Sequence, residues 1–399
     1  MFSNHEETNF PENRYYKLNQ MLLSAVSLWP YRRSKFTNIS HIFHFVIMTS
    51  FVFFQLTSFI TIQFTLDLFI MVLSYAIPSC LYIVQYVSFC TNRNGVKRIW
   101  KDIHDSWSLL KNETERKIMQ QHSSSGELMT MLLALSVVTS IILYMFTELL
   151  SSILDFIVPI NGTRPHELHA LTEYFVDQTT YYYPILCHWI LSLCFGCFVF
   201  LATGTLELVY VENICGLMKV ASYRIECSLN KYALNNSEQK NYAAYRYTIT
   251  AAIDIHRRAL KCSQFFEDNF QAYFFVLVII GVISTSLNLF RLLRAIMMQN
   301  MYQLIASTLF IIFHFLFLFL GNYYGQKITD CNNEVFYTVY NVQWYDAPVK
   351  IQKLFLFIMQ NTTTPYILNI GNLIFASVEG FFKLVSMSMS YFTVIYTLM

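Results

Sequence analysis

Stretches of about twenty residues with almost no charge recur along this chain, at about 42–63, 68–90, 128–147, 183–206, 270–290 and 300–325, and once more at the end. At 1.5 Å rise per residue, a helix of that length crosses the ~30 Å hydrocarbon core of a bilayer. A soluble domain would have to bury all of these runs at once. Only 13% of the 399 residues are charged and 55% are hydrophobic, whereas soluble domains carry about 25% charged residues. The expected fold class is therefore an all-α membrane protein with seven transmembrane helices.

Charge orients the spans. Arg93, Lys97, Arg98, Lys101, Lys111, Arg116 and Lys117 follow the second span. Lys219, Arg224, Lys231, Lys240, Arg246, Arg257, Arg258 and Lys261 follow the fourth, and Lys327, Lys350 and Lys353 the sixth. Between spans three and four, Arg164 stands alone against Asp155, Glu167, Glu173 and Asp177. Lys and Arg mark the cytosolic side, so the N-terminus is expected inside and the C-terminus outside. Arg291 and Arg294, between spans five and six, depart from the rule. A G-protein-coupled receptor has its N-terminus outside, and its Asp-Arg-Tyr and Asn-Pro-x-x-Tyr signals are missing here. The polar N-terminal segment has no apolar run followed by small residues, so the first span is expected to be its own insertion signal. Leu28-Trp29-Pro30 reads as an interfacial anchor leading into it. A net charge of +2 gives no nucleic-acid signature.

Six regions follow from this reading: a cytosolic N-terminal segment (1–41), spans one to four (42–211), cytosolic anchor helices (212–269), spans five and six (270–325), a cytosolic anchor helix (326–365) and the last span (366–399). Leu206–Leu229 and Tyr242–Phe270 continue spans four and five as helices, with a turn expected near 233–237. Asn333–Met359 reads as one amphipathic helix, ended by Asn361 to Pro365. These pieces suit a cytosolic bundle.

The last thirty residues, from Ile370, set hydroxyls on one stripe. Ser386, Ser390, Val394 and Leu398 recur at every fourth position, with Ser388 and Thr397 close by. Phe382, Val385, Phe392 and Ile395 take the opposite side. Hydroxyls can wall a wet lumen that apolar side chains close by dewetting. Equally, small residues pack one membrane helix on another. Glu379 and Lys383 are spaced to pair near the start of this helix.

No catalytic constellation is present, so no enzyme, cofactor or metal is expected. His166, Glu167 and His169 lack the His-Glu-x-x-His spacing. Cys194 and Cys197 lie on a membrane helix, where small packing residues explain them better than redox or metal chemistry. No two of the nine cysteines share an outside loop, so a disulfide framework is not expected. Asn161 heads a glycosylation sequon on the expected outer loop, while those at Asn38, Asn112, Asn235 and Asn361 fall inside. Tyr75, Tyr82 and Gln85 share a face of span two. Tyr144 and Glu148 lie near the outer end of span three, His188 in span four and Tyr302 at the top of span six. Such groups in apolar surroundings suit a pocket for a small, weakly polar organic molecule. They also suit interhelical hydrogen bonds.

Several segments resemble insect odorant receptors. These are Ser390-Tyr391-Phe392-Thr393-Val394-Ile395-Tyr396, Tyr340-Asn341-Val342-Gln343-Trp344-Tyr345 with Lys350 to Gln360, and Gly321-Asn322-Tyr323-Tyr324-Gly325-Gln326. Glu379-Gly380-Phe381 and Asp254-Ile255-His256-Arg257-Arg258-Ala259 are similar to receptors of ants, bees and wasps. The resemblance is specific in the C-terminal third and one of layout before it. It implies an odorant-gated, non-selective cation channel in the plasma membrane of an olfactory neuron dendrite. It also implies a heterotetramer with a shared co-receptor, in which each last helix lines a central pore. The pocket would lie in the outer half, among spans two, three, four and six. That assigns Tyr75, Pro78 and Tyr82, then Tyr144, Met145 and Glu148, then Cys187, His188 and Leu191, and finally Tyr302 and Ile305. Val394 and Leu398 would form the gate, with Ser386, Ser390 and Thr397 along the pore. Tyr340, Trp344, Tyr345 and Leu354 would anchor subunits. The co-receptor's long insert between spans four and five is missing, which suits a tuning subunit. Gustatory receptors differ in their last motif. A metabotropic receptor or a transporter without a pore is the alternative function, although no internal repeat supports a transporter and Pro78 is the single clear mid-span break.

Overall fold

A computed structural model of the chain describes residues 11–32, 35–157, 170–233, 238–363, 366–371 and 374–398. Asn161, Arg164, His166, Glu167 and His169 lie outside them, as does Met399. After a short 3-10 turn, Pro11–Tyr16, come α1 (Lys17–Ala25), α2 (Lys35–Leu56), α3 (Ser58–Thr61), α4 (Leu66–Thr91), α5 (Arg93–Ser108) and α6 (Glu113–Ile157). Then follow α7 (Tyr182–Ala233), α8 (Glu238–Met297), α9 (Met301–Asn341) and α10 (Val349–Thr363). A two-stranded hairpin, β1 (Asn369–Ile370) and β2 (Ile374–Phe375), leads into α11 (Val378–Thr397). Among the described residues the protein is all-α apart from this hairpin.

Six described helical stretches are long and apolar enough to cross a bilayer: Lys35–Thr61, Leu66–Thr91, Glu113–Leu150, Tyr182–Ser228, Tyr245–Met297 and Met301–Asn341. Each covers all or nearly all of one of the first six apolar runs. The seventh, α11, has 20 residues and is about 30 Å long, but its serines and its Glu379–Lys383 pair make it less apolar. The last thirty residues are not all helix. Ile370 belongs to the hairpin, Gly371 turns it with φ +63, and Ser377 caps α11 by accepting from the Gly380 amide at 3.0 Å. Positive φ suits glycine, and an added Cβ would also strike the Phe275 ring.

At the centre stands α7, packed on α8, α6, α9, α4 and α2. Between Leu206 and Ser222 only Glu207 and Lys219 escape full burial, which is what a helix apolar on all sides does. Three of its polar side chains in this stretch, Tyr210, Glu212 and Asn213, find partners on neighbouring helices. Glu212 takes His122 Nδ1 at 3.0 Å and pairs with Lys327. Asn213 donates to Ser106 Oγ at 3.2 Å. The Tyr210 hydroxyl donates to Asp102 at 3.1 Å. Burial pushes the Asp102 carboxyl above its usual range, and this hydrogen bond and Arg98 partly offset it.

Helices α6 to α9 run on past their apolar stretches, and α5 and α10 pack beside these extensions. One local expectation changes. Asn333–Met359 is not one helix: α9 runs unbroken to Asn341, and the chain turns through Trp344–Asp346 before α10. Pro348 explains the break, since it has no amide to donate and restricts the residue before it. Leu28-Trp29-Pro30 packs on the chain's own helices. Leu28 is buried, and Trp29 sets its ring edge-on to Trp100 of α5, 5.0 Å between centroids.

Candidate functional site

Four rings from four helices meet away from the extended end. Tyr75 of α4 lies edge-on to Trp189 of α7 at 5.8 Å and to Phe310 of α9 at 5.6 Å. Tyr144 of α6 lies edge-on to the same two rings, at 5.9 Å from each. Edge-to-face pairs favour this arrangement by about 0.5–1.5 kcal/mol each beyond area burial. Three of these rings, Tyr75, Trp189 and Phe310, line a small cavity together with Pro78, Ser79, Tyr82, Ser192 and Leu193, and Tyr144 backs them from behind. Its volume is about 10 Å³, roughly one water's worth.

Local sequence explains each placement. Pro78 sits within α4 and cannot donate to the Ser74 carbonyl one turn earlier. Asn288 of α8 donates to that carbonyl at 3.2 Å and to Ser284 O at 2.9 Å. Tyr82 reaches across α7 only because position 196 is glycine, where a Cβ would stand 2.4 Å from the ring. The Tyr144 hydroxyl donates to Glu148 at 2.7 Å, and both are buried.

Arg291 of α8 lies behind the quartet. Its guanidinium stands 4.0 Å from the Tyr75 ring centroid and 5.6 Å from that of Phe310. Only 1% of the residue is exposed, and Nη1 and Nη2 have no hydrogen-bond partner. Cation–π contact with two rings compensates part of the charge. Arg294, one turn on, pairs with Asp67.

The remaining pocket candidates lie elsewhere. His188 holds Ser50 Oγ through Nε2 at 3.0 Å and Tyr174 through Nδ1 at 2.6 Å, between α2 and the segment before α7. Cys187, Leu191 and Ile305 are exposed on the single chain. Met145 and Tyr302 are half-buried and do not line the cavity. Trp189, Ser192, Phe310 and Arg291 were not singled out by the sequence. A signal for Trp189 existed, since it adjoins His188, but one residue turns a helical side chain by about 100°.

In α11, Leu384 and Ser388 are buried, and Ser286 of α8 donates to the Ser388 carbonyl at 2.9 Å. Phe392 and Ile395 pack with Ile70, Leu287 and Phe290. Ser386, Ser390, Val394, Thr397 and Leu398 all stay exposed on this chain, Val394 by 54%. Phe382 is exposed with them, not on the packed side. Tyr340 and Tyr345 are exposed at the extended end, while Trp344 and Leu354 are half-buried.

A larger cavity, of about 90 Å³, opens among α6, α7, α8, α9 and the hairpin, nearer the extended end.

Two solved structures share this architecture. The insect olfactory receptor OR5 from Machilis hrabei, in complex with eugenol, superposes with a TM-score of 0.77 at 13% identity, covering 97% of this chain and 98% of that one. The same receptor in its other structure gives 0.75 at 14% identity with the same coverage. No curated protein matches the sequence significantly. The profile described as 7tm Odorant receptor matches residues 65–389, from the start of α4 almost to the end of α11. With most of its length inside that match, this multi-pass helical chain belongs to the 7tm odorant receptor family.

Proposed function

We propose that this odorant receptor is the tuning subunit of an odorant-gated, non-selective cation channel in the plasma membrane, assembled as a heterotetramer with a co-receptor. One observation carries the reading: α8 touches the aromatic quartet through Arg291 and the last helix through Leu287 and Phe290. A change in the packing of Tyr75 or Phe310 therefore reaches α11 through one rigid helix. The opposite face of α11 is left uncovered by its own chain, as a shared pore wall requires.

The quartet cavity holds about one water, so an odorant of roughly ten heavy atoms enters only as rings swing aside. Its binding then favours whichever packing leaves that room, and differential affinity is what shifts the closed–open equilibrium. Displacing either ring brings the unpartnered Arg291 donors toward the ligand. The best ligand is thus a small apolar molecule with one oxygen acceptor. Eugenol, bound by the Machilis hrabei receptor, is likewise small and mostly apolar, with two oxygens, a phenol and a methyl ether.

Recording ligand-evoked current from purified receptor in a planar bilayer, with and without the co-receptor, tests this. Val394→Ala is expected to raise the unliganded leak or alter ion selectivity. Unchanged currents across substitution series at Val394 and Leu398 would remove them from the gate. Slow currents that need an added G protein would replace the channel reading with a metabotropic one.

A further inference from the structure

The second cavity carries chemistry that the odorant pocket does not. Its walls are apolar side chains such as Phe200 and Leu277, together with Gly204 of α7 and Gly321 of α9. A Cβ at either glycine would meet nothing within 4 Å. Each glycine weakens its helix by about 0.5–1 kcal/mol relative to alanine, and neither is needed here for close approach. Gly204 thus widens the wall, and Gly321, which is exposed, leaves the mouth of the cavity unobstructed. A water needs about 10–15 Å³ of such space, so the 90 Å³ admit roughly six to nine non-hydrogen atoms.

Into this apolar space comes Glu207. Its Oε1 is buried and makes no hydrogen bond. Tyr273 lines the same wall, and its hydroxyl is buried too. The other acids close to this level are engaged: Glu212 holds His122 and Lys327, and Glu267 accepts from Tyr366 and from the Asn369 amide. A carboxyl oxygen buried without a partner is costly whether the group is charged or neutral.

We propose that this cavity is a binding site for a small lipophilic amine, distinct from the odorant pocket. The apolar walls take a body about the size of one aromatic ring, and Glu207 takes the head. An amine fits in either protonation state of the acid, because an ammonium beside a carboxylate and a neutral amine beside a carboxylic acid share the same proton. An alcohol of the same shape has a single proton to donate and leaves a carboxylate's charge uncompensated. Ile370 and Ala376 also line the cavity, so an occupant touches the hairpin that leads into α11.

Equilibrium binding of tritiated 2-phenylethylamine to the purified full-length receptor in lipid nanodiscs tests the assignment, with 2-phenylethanol as the neutral competitor of equal shape. The alcohol is expected to compete at least about tenfold more weakly than unlabelled amine, the difference of a charge-assisted hydrogen bond. Glu207→Gln should weaken amine binding by about tenfold or more, and Gly321→Leu should abolish it by blocking the mouth. Equal competition by amine and alcohol would overturn the proposal, as would wild-type affinity in Gly321→Leu. Should Glu207→Gln elute as an aggregate, Gly321→Leu and the competitor series decide alone.

Discussion

Pro78 and Asn288 show how single residues set this site. Proline leaves the Ser74 carbonyl without its helical donor inside an apolar bundle, and the Asn288 amide from α8 supplies one at 3.2 Å. In lipid-facing proteins an orphaned backbone group has no water to turn to. Asn288→Leu is therefore expected to cost about 1–3 kcal/mol, read as a lower midpoint when purified receptor is heated and its monodisperse fraction measured. A midpoint unchanged from wild type would show that the carbonyl finds another donor. Pro78 itself was legible in the sequence as a mid-span break. Its partner was not, because 210 positions separate the two residues, as their numbers show. Arg291 was likewise legible only as an exception to the charge rule. That it is buried under two rings follows from the packing of α4 and α9 on α8.

Among the elements, α7 organises the extended end. Arg224 donates to both Glu115 oxygens, at 2.9 and 2.8 Å, and to the carbonyls of Ala251 and Leu109. One side chain thus ties α6, α7, α8 and the end of α5. Both members of the pair are buried. Glu115→Ala leaves a buried guanidinium without its counter-ion and should destabilise by about 3–5 kcal/mol, measured as loss of folded receptor on mild heating. Replacing both partners with apolar residues of similar volume should recover much of that. If the double variant is no better than Glu115→Ala, the pair is not what stabilises this junction. The spanning helices were readable from apolar run length, whereas α5, which has no such run, was not. The hairpin before α11 was not, since its strands have two residues each and depend on Gly371 seating against Phe275.

At the scale of the whole molecule, the exposed apolar surface falls into two kinds. Along the spans it faces lipid, as Ile42, Phe45 and Phe53 of α2 do. At the extended end, Tyr337, Tyr340, Tyr345, Leu356 and Phe357 are exposed beyond the apolar runs, and lipid does not explain that patch. The subunit assembly proposed above would cover it. Phe357→Glu is expected to shift the assembled receptor toward monomers in light scattering after size-exclusion chromatography, with helicity unchanged. An unaltered molar mass would place the contact elsewhere.

The sequence by itself determined the class, the number and length of the apolar spans and the helical continuations of spans four and five, because these depend on local composition and on charge. It carried the family signature in the last third. Only the tertiary structure decided which residues share the site: it turned Trp189 inward where His188 had been expected and brought Phe310 and Arg291 beside Tyr75. The reason is physical. In a membrane protein lipid and core are equally apolar, so hydrophobicity marks a helix without marking its inner face. That choice is made by shape and by polar partners, which belong to several helices at once.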